Sequence, residues 1–174
     1  ERASAALAER GAEIDHQARA EAVAHSAIRY SILRVANEKM VRFDFEEALS
    51  FEGDSGPYLL YGYARMCALL RKYGKALPQK ADFSLLTDDT ELALAKAIAD
   101  FPDAVARTMR EVSPHALADY VYGLTRAFTA FYHSCPVLDA KAELRDARLL
   151  LVGTSRQTLR NGMLLLGMTP LEQM

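Results

Sequence analysis

Little in this chain offers ready-made reactive chemistry. Its two cysteines, Cys67 and Cys135, stand far apart, without the spacing of a zinc site or a disulfide framework. Both are expected as reduced core thiols of a cytosolic protein. The four histidines, His16, His25, His115 and His133, are scattered singly, with no histidine or acidic partner at helical ligand spacing, so no metal centre is expected. Gly53-Asp54-Ser55-Gly56 is too short to be a Walker loop or a dinucleotide fingerprint. His133, Ser134 and Cys135 are adjacent, but neighbours on a helix point about 100° apart, so they cannot pair as base and nucleophile. Glu46-Glu47 reads as helix-start charge. These residues are expected to be non-catalytic. No apolar run approaches the roughly 20 residues of a membrane span, and Leu149-Leu150-Leu151-Val152 fits a buried helix face.

Charge of one sign is also scarce. With 21 basic and 23 acidic residues the formal charge is −2, which argues against a nonspecific nucleic-acid binder coated in lysine. Neither DNA nor a membrane is expected as a partner. The local distribution says more than the sum: Arg65, Arg71, Lys72, Lys75 and Lys80 form a basic segment, while Glu91, Asp100, Asp103 and Glu111 concentrate acid in mid-chain. At 174 residues, 51% hydrophobic and 25% charged, the chain is long enough for one domain with a core, or one domain and an appended segment. Glu1 opens an alanine-rich amphipathic stretch without an initiator methionine or signal-like region, as expected of a piece cut from a longer protein.

Periodicity predicts helices almost throughout. Glu1 to about Arg10 reads as a short helix broken by Gly11. A second spans about His16 to Val35, with Ala20, Val23, Ala24, Ala27, Ile28 and Leu33 as its apolar positions. Val41-Arg42-Phe43-Asp44-Phe45 alternates and is expected to be extended, before a turn at Glu46 to Leu49. Residues 76–86 read as a linker. Asp88 to Glu91 has the form of a capping box; Pro102 restarts a helix that runs to Val112. Ser113-Pro114-His115 reads as a cap and a first-turn proline opening a helix to Ser134, with Leu117, Tyr120, Val121, Leu124 and Phe128 inward. The last helix, about Ala140 to Leu166, stops at Gly167. The expected fold is all-α: a helical bundle over 51–174, preceded by a small helical connector over 1–50.

The stretch Ser55-Gly56-Pro57-Tyr58-Leu59-Leu60-Tyr61-Gly62-Tyr63-Ala64-Arg65 is the most informative. Pro57 suits a first turn and Gly74 an end. On that helix Tyr58, Tyr61, Arg65, Ala68 and Lys72 share one stripe, while Leu59, Met66, Leu69 and Leu70 form an apolar one. Rings beside guanidinium and ammonium groups are what unstacked bases and phosphates need. Tyrosines so placed also occur at the edge of a core with wet hydroxyls. An exposed cluster near Gly53 and Asp54 would favour RNA; buried Tyr58 and Tyr61 would favour packing alone. The competing function is a helical protein-interaction domain without RNA binding.

Longer motifs add a resemblance. Phe43-Asp44-Phe45, Ala48-Leu49 and Glu52-Gly53-Asp54-Ser55-Gly56-Pro57-Tyr58-Leu59, with Tyr61, Ala64 and Arg65, form one block. Cys135-Pro136-Val137-Leu138, Arg148-Leu149, Arg156-Gln157, Leu159, Asn161-Gly162-Met163 and Leu165-Leu166-Gly167, closing with Pro170, Glu172 and Met174, form a second that begins 70 residues beyond Arg65. Together with Ala27-Ile28-Arg29-Tyr30, they resemble the C-terminal part of arginyl-tRNA synthetases, a class I family. The resemblance implies an anticodon-binding domain of the type named for an Asp-Ala-Leu-Arg signature, here Asp146-Ala147-Arg148-Leu149 with its last two residues transposed. It implies tRNA-Arg and the catalytic domain of the same polypeptide as partners, and cytoplasmic work. By motif position it implies anticodon contacts at Gly53, Asp54, Tyr58, Tyr61, Arg65, Tyr132 and Met174, with Gly53 and Gly56 admitting close approach. The family's ATP-binding signatures are not found in these residues, so ATP with Mg is expected in the parent enzyme and no cofactor in this piece.

Overall fold

The apolar periodicity is realised as seven α-helices, with no strand among the described residues, in a computed structural model that describes residues 16–174. The expected helix over Glu1 to Arg10 lies outside them. In chain order the helices are α1 (His16–Leu33), α2 (Phe45–Leu49), α3 (Gly56–Tyr73), α4 (Asp89–Ala99), α5 (Phe101–Glu111), α6 (His115–Ser134) and α7 (Ala142–Leu165), with one 3-10 turn at Phe83–Leu85.

Helix α6 lies at the centre and packs on α1, α3, α4, α5 and α7, while α3 also meets α1, α2 and α7. One continuous core results. Leu59, Leu60, Tyr63 and Met66 enter it from α3, Val121, Leu124, Phe128 and Phe131 from α6, and Leu149, Val152, Leu159 and Met163 from α7. Each large apolar side chain so buried stabilises the fold by about 1.5–3 kcal/mol. Helix α1 joins the same core through Ala20, Val23 and Tyr30. The apolar stripe expected on α3 is present, but Leu60 and Tyr63 are buried as well, because α3 is covered by helices on several sides.

Local signals place the helix ends. Ser55 caps α3, its hydroxyl accepting from the Tyr58 amide at 3.2 Å. Asp88 and Glu91 form the full capping box of α4, the Asp88 amide donating to the Glu91 carboxylate at 2.9 Å. Gly74 and Gly167 end α3 and α7 in the left-handed conformation, at φ +68 and +70°, as glycine allows.

Elsewhere the expectation holds in part or fails. Asp44 has the extended backbone expected, at φ −122 and ψ 130°, but Phe45 already opens α2, which the Asp44 side chain caps by accepting from the Glu46 and Glu47 amides at 2.8 and 2.9 Å. The segment read as a turn is that helix, and the alternating Phe43 and Phe45 pack edge-to-face on each other with centroids 5.0 Å apart. Ser113 makes no side-chain cap; Pro114 is the N-cap of α6. The last helix begins at Ala142, two residues later than expected. Ile28 does not face the core: it is 46% exposed and lies one turn from Ile32, 48% exposed, because Ala27 and Tyr30 take the inward positions.

Candidate nucleic-acid interface

Two helices build the site. The pairings Tyr58–Tyr122, Gly62–Thr125 and Arg65–Tyr132 advance in the same direction along α3 and α6, so the helices run side by side in parallel. Their approach is close at Gly62, where a Cβ would lie 2.5 Å from the Thr125 methyl.

Arg65 is the centre. Its guanidinium donates to the Tyr61 hydroxyl at 2.7 Å. Its Cζ lies 4.5 Å from the centroid of the Tyr61 ring and 5.1 Å from that of Tyr132. Tyr132 is 40% exposed. These three side chains, with Arg71, Gln173 and Met174, line a cavity of about 440 Å³. Met174 reaches it because Arg71 donates to the Glu172 carbonyl at 3.0 Å and holds the tail against α3. On its other side Tyr132 borders a second cavity of about 230 Å³, lined also by Lys72 and by Pro136 to Asp139. Neither Arg65 nor Arg71 has a carboxylate partner among the described residues. A positive charge without an acidic partner, between flat rings and beside a cavity, is suited to an anionic aromatic ligand.

The end of α6 is fixed from below. Glu91, 1% exposed, receives Arg148 Nε at 2.6 Å. A second Arg148 nitrogen donates to the Pro136 carbonyl at 2.7 Å. The arginine of the signature stretch therefore ties α4 and α7 to the turn that follows Tyr132. Its two neighbours, Ala147 and Leu149, are wholly buried.

The remaining predicted residues stand apart from this cavity. Tyr58 is half-buried, its hydroxyl 3.3 Å from that of Thr129 and its ring 5.8 Å from Tyr122. The Asp54 carboxylate accepts from the Tyr30 hydroxyl and from Arg34 at 3.0 Å. Arg34 also pairs with Glu47, and the Tyr30 hydroxyl lies 3.3 Å from the Ala118 carbonyl. Burial first, and the Asp54 carboxylate second, push the Tyr30 phenol far above its ordinary range, so it stays a donor. Gly53 is exposed, at φ +75°. Gly56 corrects an expectation: a Cβ there would lie 2.4 Å from the Ser26 carbonyl oxygen, so its bareness serves the approach of α1 to α3 rather than of a ligand. Both cysteine thiols are buried and raised, chiefly by that burial. Among the described residues no His, Cys, Asp and Glu cluster is able to hold a metal ion, and no helix is long and apolar enough to cross a membrane.

Sequence reasoning passed over Tyr122 and Arg126, whose guanidinium lies 5.7 Å from the Tyr122 ring. The available signal was the spacing: Tyr61 and Arg65, like Tyr122 and Arg126, stand one helical turn apart.

A family model described as the DALR anticodon binding domain matches residues 59–174, and the chain belongs to that family of helical domains. Its relatives are more particular. It is 45% identical over 155 residues to the arginine–tRNA ligase of Methanocorpusculum labreanum, covering 89% of this chain and 28% of that protein. The Thermus thermophilus arginyl-tRNA synthetase structure superposes with a TM-score of 0.93 at 38% identity, covering 99% of this chain and 30% of that one. The Plasmodium falciparum arginyl-tRNA synthetase gives 0.85 at 31% identity, covering 99% and 32%. The chain thus spans less than a third of each of these three proteins.

Proposed function

We propose that this chain receives the anticodon loop of tRNA-Arg and docks it for a parent arginine–tRNA ligase. The observation that carries the reading is the Arg65 guanidinium, set between the Tyr61 and Tyr132 rings at the cavity that Met174 borders. A base stacked on such rings gains about 1–3 kcal/mol. The guanidinium holds a phosphate or covers a base face.

In this reading Tyr58, Tyr61, Arg65, Tyr132 and Met174 touch the loop. Gly53 offers backbone at an exposed turn, and Asp54 acts by holding that turn, because Tyr30 and Arg34 already engage its carboxylate. Residues 1–50 connect the 51–174 bundle to a catalytic domain of the same polypeptide, for which the outward Ile28 and Ile32 supply an apolar face. Activation of arginine with ATP and Mg belongs to that domain, in the cytoplasm.

The test is tRNA-Arg affinity in Tyr61→Ala and Arg65→Ala, with unfolding curves as control. Each substitution is expected to weaken binding by about tenfold while the fold stays intact. Unchanged affinity in both variants refutes the reading and leaves a helical protein-interaction domain.

A further inference from the structure

Above the Arg65 cavity, the same pair of helices carries a second aromatic and cationic group, of which the motif blocks include Tyr58 but neither Tyr122 nor Arg126. Tyr58 and Tyr122 meet edge-on, with centroids 5.8 Å apart and planes at 63°. Arg126 covers the Tyr122 ring with its Cζ 5.7 Å from the centroid. Both rings are half-buried and Arg126 is exposed. The Tyr58 hydroxyl is anchored at Thr129, which fixes its ring. Arg126, like Arg65, has no carboxylate partner among the described residues.

The flank of the helix is open at this point. Gly123 follows Tyr122 inside α6, where helix propensity disfavours glycine, and a Cβ there would meet nothing within 4 Å. Packing therefore gives no reason for the missing side chain, and its absence leaves room beside Tyr122 for a ribose and its phosphate. Along α3 this group sits about 5 Å from Tyr61, and along α6 about 15 Å from Tyr132. Successive bases of an unstacked loop can bridge such a step.

We infer that Tyr58, Tyr122 and Arg126 form a second nucleotide seat, which takes an unpaired base and its phosphate from the strand whose neighbouring base occupies the Arg65 cavity. The inference rests on the tRNA reading above. Tyr122 stacks the base, and Arg126 holds the phosphate from the solvent side.

The test uses the 174-residue chain and a hairpin RNA with the anticodon stem-loop of tRNA-Arg, in which each loop base is made abasic in turn. Tyr122→Ala is expected to bind the intact hairpin about tenfold more weakly. It is also expected to become insensitive to one abasic position that weakens wild-type binding. Arg126→Gln, at an exposed residue that leaves folding alone, is expected to weaken binding and flatten the salt dependence by about one phosphate contact. Wild-type affinity and salt slope in Arg126→Gln, with weakened binding in Arg65→Ala and Tyr132→Ala, overturn the second seat and leave the first standing. Wild-type affinity in all four variants, or no binding by the unaltered chain, overturns both.

Discussion

Glu91 shows how much one residue holds in place here. Its carboxylate is buried against Arg148, which is 12% exposed, and removing one partner of such a pair leaves a charge without compensation. Glu91→Met is therefore expected to cost about 3–5 kcal/mol in urea unfolding, whereas Glu91→Met with Arg148→Met recovers most of that loss. Strictly additive costs would show that the pair does not act as a unit. Val112 is the opposite case, 78% exposed and held at φ +48°, where a β-branched residue is strained. Relief of about 1–2 kcal/mol outweighs the chain entropy that glycine adds, about 0.5–1 kcal/mol. Val112→Gly is expected to raise stability by about 0.5–1 kcal/mol in the same assay, and a loss of stability would show that the backbone strain is absent. Asp88 carries a pH signature. Hydrogen bonds from the Thr90 hydroxyl and then its amide hold the Asp88 carboxyl below its ordinary value of 3.8. Its contribution is complete above that pH and disappears as pH falls through the lower folded value. Asp88→Ala should therefore lower the melting temperature near neutral pH, and the difference from wild type should shrink below pH 3.8; a gap independent of pH would contradict this.

At the level of elements, the register of α3 against α6 decides whether the rings meet. Gly62 sets that register, since a Cβ would press on the Thr125 methyl at 2.5 Å. Gly62→Ala is expected to cost about 1–3 kcal/mol by overpacking and to weaken tRNA binding by moving Tyr61 away from Tyr132. Loss of stability with unchanged affinity would show that the ring geometry tolerates the shift. Helix ends such as Asp88 with Glu91, Gly74 and Gly167 were legible because their signals lie within a few residues. The stripe of Tyr58, Tyr61 and Arg65 was legible from 3,4-spacing. What the stripe meets was not legible from spacing: Tyr132, named by the resemblance alone, lies 67 positions beyond Arg65 in sequence and reaches it only through the α3 and α6 packing. For the same reason Glu91 appeared as a cap residue and a mid-chain acid without its ion-pair partner, Arg148 being 57 residues away. The alternation of residues 41–45 held as far as Asp44 and gave no sign that Phe45 opens a helix, because that start is set by the Asp44 cap rather than by apolar period.

Across the whole molecule, a formal charge of −2 and the proposed RNA-facing surface are compatible, because charge is sorted by place. Arg34, Arg107, Arg145 and Arg148 spend their charge on carboxylates. Arg65, Arg71 and Arg126 do not, and they lie along α3 and α6 beside the tyrosines. Binding through that face should release counterions, so affinity should fall linearly with salt on logarithmic axes, by about 0.7 per single-strand phosphate contacted. The most direct measurement is fluorescence anisotropy of this chain with a tRNA-Arg transcript and with one whose central anticodon base is changed, at two salt concentrations. Tighter, salt-dependent binding to the unchanged transcript is the predicted result. Equal affinity for both transcripts, or binding indifferent to salt, would contradict the claim that this face reads the anticodon.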